Sequence, residues 1–378
     1  MRTEILAAIT IAAFTAAGCG SAESNPSDPT GGSTSQNTGG DGAGGQGAGG
    51  AGAGGAGGGG VPGAWCQPIP TCDFPPPDPG QASDWNHLSS SITAGAGDPN
   101  HRGRDLYLNP GDPQWVIAKF AYGLFDDDIK DEEVDLYLLR DCGDTWEPLG
   151  TATTTDDDAH PTVEGVEDSG GHVYFEIPPD RALGLGRHRV RLVVRGDLTT
   201  ADVYIEVVPP GTPMIVTDVD GTLTGTETEE FTALLTGQLP DCHPDAPEVI
   251  RILASKGYHP MYLTARPEWL VRRTREFVET YNFPPGIVHT TLGLTGATGS
   301  SAATYKTGKL AALAQRGMAP AWAFGNTETD AEAYDNAGVM PISSRVFYQF
   351  DDTVYGGRRI ESYTELLAEV EALPSLCE

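Results

Sequence analysis

Apolar and polar residues alternate with a period of two along residues 104–209. Val173, Phe175 and Ile177 share one face of a strand, with Tyr174 and Glu176 on the other. Val190, Leu192 and Val194 alternate with Arg189, Arg191 and Arg195, and Val203, Ile205 and Val207 with Asp202, Tyr204 and Glu206. With runs 115–122 and 134–139 added, the pattern predicts several short antiparallel strands divided by Gly, Pro and Asp turns. Their arginines read as the solvent-facing side of one strand, and no catalytic constellation is visible among them.

Past Pro209 and Pro210 the period changes. Strands are predicted at 214–217, 258–264 and 321–325, and helices at 246–256, closed by Gly257, and 306–316, closed by Gly317. A further helix over 268–281 places Leu270, Thr274, Phe277 and Tyr281 on one face. Strand–helix alternation predicts an α/β domain over 210–378, with a mostly parallel sheet and a ligand site beyond the carboxyl ends of the strands. The preceding unit, 104–209, reads as an immunoglobulin-like all-β sandwich.

The N-terminal quarter cannot build a core. Residues 1–19 hold Arg2, an apolar stretch too short to span a bilayer, and then Ala16-Ala17-Gly18-Cys19. A cysteine after small residues resembles the lipobox of bacterial lipoproteins. That resemblance implies a lipid-modified Cys19, membrane anchoring and, with Gly20 next, an extracytoplasmic place on the outer membrane. Residues 20–63, dominated by Gly, Ala, Ser, Thr and Asn, read as a flexible tether, and 64–103 as a Pro-rich segment. Export permits disulfides among Cys66, Cys72, Cys142, Cys242 and Cys377, whose spacing leaves the pairing open and is too scattered for zinc. The formal charge of -30 repels nucleic acid and anionic headgroups, so neither is expected on a basic surface. The acidic runs 126–128 and 156–158 read as solvated loops rather than calcium sites.

Candidate chemistry collects at the strand ends. Asp218-Val219-Asp220-Gly221-Thr222 puts two carboxylates on one side of an extended stretch before a glycine that permits a sharp turn. Its plain alternative is an acidic turn; an EF-hand fails because Leu223 takes the glycine position and a strand precedes it. Thr264-Ala265-Arg266-Pro267 reads equally as a helix cap, Lys306 and Lys309 in "TYKTGKLAAL" as exposed helix residues, and Gly325-Asn326-Thr327-Glu328-Thr329-Asp330 as a capped turn. Their order, each after a strand or on the following helix, is more specific than any one of them.

The four pieces resemble the haloacid dehalogenase-like phosphatases and, more closely, their lipin-type domains. The motifs that carry this are "DVDGTLT", "LTARP", "NFPPGIV" and "FGNTETDAEAY". The resemblance implies a Mg2+-dependent phosphomonoester hydrolase acting on phosphatidate or a related lipid phosphate. It would use Asp218 as nucleophile and Asp220 as acid and base, with Thr222, Thr264 and Lys306 on the phosphoryl group. Magnesium would sit on Asp218, Asp330 and the backbone carbonyl of Asp220, with Asn326 assisting. The segment after the first strand is too short for a large cap, so the site is expected to be open. Two alternatives stand beside catalysis. One is a non-catalytic phosphatidate-binding module, as in the transfer-protein branch of the family, where the aspartate pair is incomplete. The other is a surface scaffold or adhesion protein. The intact pair here favours the enzyme.

Overall fold

The computed structural model describes residues 68–123, 125–225 and 239–377. Cys19, the tether and the segment 226–238, on which the open-site expectation rests, lie outside them. A short helix, α1 (Leu88–Ala96), leads into ten strands: β1 (Arg102–Arg104), β2 (Leu106–Leu108), β3 (Trp115–Lys119), β4 (Ala121–Tyr122), β5 (Asp127–Asp128), β6 (Glu133–Leu139), β7 (Trp146–Thr153), β8 (His172–Glu176), β9 (Gly186–Val194) and β10 (Thr200–Val207). They form a β-sandwich, with a three-stranded sheet ordered β1-β3-β8 and a five-stranded sheet ordered β2-β10-β9-β6-β7. The apolar phase of the alternation is the core. Val116, Val134, Leu136, Val173, Val190, Leu192, Val203 and Ile205 are all within 1% of complete burial.

The polar phase departs from expectation. Arg189 and Arg191 do not face solvent: both guanidinium groups fork onto Asp202 of the neighbouring strand, at 2.9 and 2.7 Å, and Arg189 also donates to the carbonyl of Cys72. Period two fixes which side chains share a face but not what covers that face. Here the Pro-rich segment does, fastened by the Cys72–Cys142 disulfide. Cys377 is also disulfide-bonded, and Cys242 is free. The acidic run 126–128 departs too. Asp126 forms a buried two-pronged pair with Arg102, and Asp128 lies 3.1 Å from Lys119.

The second half alternates as the sequence predicts. Its strands are β11 (Met214–Thr217), β12 (His259–Leu263), β13 (Ile287–His289), β14 (Pro320–Gly325), β15 (Arg345–Tyr348) and β16 (Arg358–Ile360). Between and after them run α2 (Ala246–Ser255), α3 (Val271–Thr280), α4 (Ser300–Gln315), α5 (Glu328–Asn336) and α6 (Leu367–Ala372). All five strand pairings are parallel, in the order β13-β12-β11-β14-β15-β16. In that order the chain leaves β11 toward one edge of the sheet and returns beside it at β14, so loops diverge there and open a crevice at the carboxyl ends. Helix α4 starts at Ser300, six residues before the start expected from sequence; its first turns bury only Ala302 and Ala303, too small to mark an apolar period. No helix among the described residues is long and apolar enough to cross a membrane.

A buried polar seam joins sandwich and sheet. Asp105, between β1 and β2, is fully buried. Its carboxylate accepts from Arg275 (2.5 Å), the Val288 amide (3.2 Å) and the Tyr204 amide (2.8 Å), while its carbonyl accepts from His289 Nε2 (2.7 Å). Tyr107 donates to the carbonyl of Pro260 at 2.7 Å, and Glu206, paired with Arg187, lies 3.4 Å from His259. Such groups are costly to bury unpaired, so each half needs the other to satisfy them.

Burial, with Arg104 and Lys309 nearby, holds His289 well below its ordinary 6.5. The unfolded chain therefore binds a proton that the folded chain refuses, and stability is lost as pH falls through about 6.5. His289→Gln keeps a donor toward Asp105 and removes the titration. Urea unfolding of the variant should lose less stability than wild type between about pH 7 and about pH 5; an unchanged slope would show that His289 is not the group responsible.

Candidate functional site

The crevice between β11 and β14 gathers the residues singled out by sequence. Asp218 follows β11, its amide bonded to the carbonyl of Phe324 at 2.9 Å, so the two strand ends are locked side by side. Gly221 then turns the chain at φ +71, and a Cβ there would lie 2.3 Å from the Asn326 amide nitrogen. Only glycine meets both conditions. Thr222 is buried, with its hydroxyl 3.1 Å from Asp218 Oδ2 and 3.0 Å from Asn326 Oδ1, and braces the two loops together.

From the β14 side, Asp330 performs two tasks. Its Oδ2 caps α5, accepting from the amides of Asn326 and Thr327 and from the Thr327 hydroxyl at 2.8 Å. Its Oδ1 accepts from Lys306 Nζ at 2.5 Å. The same ammonium donates to Asp218 Oδ1 at 2.7 Å. Gly325 makes room for this, since a Cβ there would fall 2.4 Å from that of Asp330. Lys306, Asp218 and Asp330 are all within 4% of complete burial. Burial pushes Asp218 up to about 7 against the pull of Lys306, with Asp330 and Asp220 adding to the rise. For Lys306 burial opposes the charge, but Asp218 and Asp330 outweigh it and hold the ammonium protonated beyond its usual range.

Asp220 is tied elsewhere. Thr264 Oγ1 donates to its Oδ2 at 2.7 Å and Arg266 Nε to its Oδ1 at 2.6 Å. Arg266 is itself held by Thr274 at 3.0 Å, and Thr264 by the carbonyl of His289. The sequence reading overlooked Arg266 as a member of the site. Its place two residues after Thr264, at a strand end, is the signal that could have found it.

These donors do not fit a magnesium ion. Lys306 fills the space between Asp218 and Asp330, the second oxygen of Asp330 caps a helix, and Asp220 is engaged by Arg266 and Thr264. Among the described residues no group of three or more His, Cys, Asp or Glu side chains is placed to hold a metal.

The parallel sheet, its crevice and its paired strand-end acids define a haloacid dehalogenase-like domain, consistent with the lipin-type superfamily. Residues 215–348 match the LNS2 domain of PITM 1-3, and residues 99–207 match the β-sandwich domain of PITM 1-3. The chain thus carries a β-sandwich domain followed by an LNS2 domain. It is 30% identical over 266 residues to protein retinal degeneration B of Drosophila melanogaster, covering 69% of this chain and 19% of that protein. It is 33% identical over 198 residues to human membrane-associated phosphatidylinositol transfer protein 1 (52% and 14%), and 29% identical over 197 residues to human membrane-associated phosphatidylinositol transfer protein 3 (52% and 18%). The chain spans less than a fifth of these relatives' length.

These matches correct the functional expectation. The mammalian relatives are named for phosphatidylinositol transfer, not for phosphate hydrolysis, so the reading as a magnesium-dependent hydrolase is overturned. The intact aspartate pair misled because the sequence shows the acids but not the cations paired with them.

Lys306→Met should leave two buried carboxylates facing each other without a cation. We expect a loss of about 3–5 kcal/mol in unfolding free energy, of the size seen when one partner of a buried pair is removed. Denaturant titration measures it, and adding Asp218→Asn to the variant should recover part of the loss.

Proposed function

We propose that this chain is a membrane-directed module that binds, without turnover, a lipid bearing a phosphate monoester, phosphatidate being the reference ligand. The observation that carries the reading is the Lys306 ammonium wedged between Asp218 and Asp330 in a domain that matches LNS2. Both aspartates of the pair accept strong charge-assisted bonds, which suits holding more than attack or proton transfer. An arriving phosphate would take Arg266, partly exposed at the crevice mouth, as a donor, with the charge of Lys306 deeper in the crevice. The names of the membrane-associated phosphatidylinositol transfer relatives support lipid and membrane as partners. Cys19, in its lipobox setting, would supply the tether to an outer membrane, and the immunoglobulin-like sandwich a rigid mount for the crevice.

A protein of charge -30 approaches anionic vesicles against repulsion, so binding must come from the headgroup site. Co-sedimentation should show retention on phosphatidate vesicles and not on phosphatidylcholine vesicles, strengthened by added salt. Arg266→Met should weaken it about tenfold, the scale of one charge-assisted contact. Release of inorganic phosphate should stay at background with magnesium present. Equal retention on both vesicle types, or magnesium-stimulated release, would sink the reading. Separately, Cys19→Ser should move the chain from membranes to the soluble extract, and equal membrane retention of the variant would refute the anchor.

A further inference from the structure

Lys309 is the lysine of "TYKTGKLAAL" that the crevice leaves unused. It lies one turn beyond Lys306 on α4, turned toward the sandwich: a Cβ on Gly165 would come 3.5 Å from its Nζ. It borders an open cavity of about 550 Å³ between the two domains, whose walls include Glu164, Gly165, Thr304, Tyr305 and Arg316. The ammonium stands 5.9 Å from the centre of the Tyr305 ring. Arg104 of β1 approaches the same tyrosine, since its NH1 and the Tyr305 hydroxyl both donate to the carbonyl of Thr290. Arg104 is 5% exposed, and its Nε and NH2 find no hydrogen-bond partner among the described residues.

The charges here do not balance. Arg316 is matched by Glu164 at 2.6 Å and Asp112 at 3.1 Å, which leaves both of those acids engaged. Among the described residues no carboxylate pairs with Arg104 or Lys309. Three cations therefore face two carboxylates, in a chain whose formal charge is -30. Buried cations without a counter-charge are expensive. The two acids beside the cavity are both committed to Arg316, which leaves room for an anion from outside.

We infer that this interdomain cavity is a second binding site, which takes a phosphate-class oxyanion on Lys309 with the charge of Arg104 behind it. Two features suit that ligand: a lysine in the wall and a volume in the range of small-ligand sites. Burial, with Arg104 adding to it and Glu164 opposing, brings Lys309 down to about 7, and an arriving anion would favour its charged form. The oxyanion can come free or on a headgroup, and the inference does not depend on headgroup binding in the crevice.

The test is calorimetric titration of the full chain with inorganic phosphate at constant ionic strength, using wild type, Lys309→Met and Lys309→Arg. Wild type should bind, Lys309→Met should bind about tenfold more weakly, and Lys309→Arg should restore most of the affinity. Vesicle binding measured alongside identifies the source. A free oxyanion leaves phosphatidate retention of Lys309→Met unchanged, whereas a headgroup lowers it together with phosphate affinity; either result supports the site. Phosphate binding lost in Lys309→Met, with no wild-type retention on vesicles, upholds this site and removes the crevice reading. Equal phosphate affinity in wild type and Lys309→Met, or no uptake by wild type at millimolar phosphate, overturns the inference.

Discussion

One ammonium group holds the strand ends together. Lys306 reaches from the middle of α4 to a carboxylate in the loop after β11 and another in the first turn of α5, which follows β14; the two strands are far apart in sequence and adjacent in the sheet. The crevice opens between the loops that follow those strands because strand order reverses there. Left to themselves, two buried acids would repel and lose solvation; with the lysine between them they draw two helices and a loop onto one point. Gly221 and Gly325 are small for the same reason, since any side chain at either would collide with Asn326 or Asp330.

Around this centre each group is fixed by another that fixes it in turn. Thr264 and Arg266 hold Asp220, Thr274 holds Arg266, and the carbonyl of His289 holds Thr264. His289 is anchored by Asp105 of the sandwich. A chain of polar contacts thus runs from the all-β half into the crevice without passing through solvent. The two matched domains are mechanically continuous, although their sequences change character abruptly at Pro209 and Pro210.

Much of this was legible in sequence because it is local. Period two located the apolar faces of β6, β8, β9 and β10, and glycine after an amphipathic run marked the ends of α2 and α4. The order of DVDGTLT, LTARP, YKT and FGNTETD placed the acids, the threonine and the lysine at one end of one sheet. What escaped is relational. The arginines of β9 were read as solvated because alternation cannot reveal Asp202 on the next strand or the Pro-rich segment laid over them. Asp126 was read as solvated because nothing near it in sequence announces Arg102 as a buried partner. The short strands β13, β15 and β16 are three or four residues long, too few for a period to show. The pairing of Arg266 with Asp220 spans 46 residues, and without it the acids looked ready for chemistry.

The seam at Asp105 also bears on how such a unit could be moved between proteins. Cut at the proline pair, the α/β half would expose Arg275, His259 and His289 with their sandwich partners gone, and Asp105 and Glu206 would be stranded on the other side. A viable graft must therefore carry strand β2, and in practice the whole sandwich, as a single cassette. The proline pair, where the sequence changes character, is therefore not the place at which the unit can be divided.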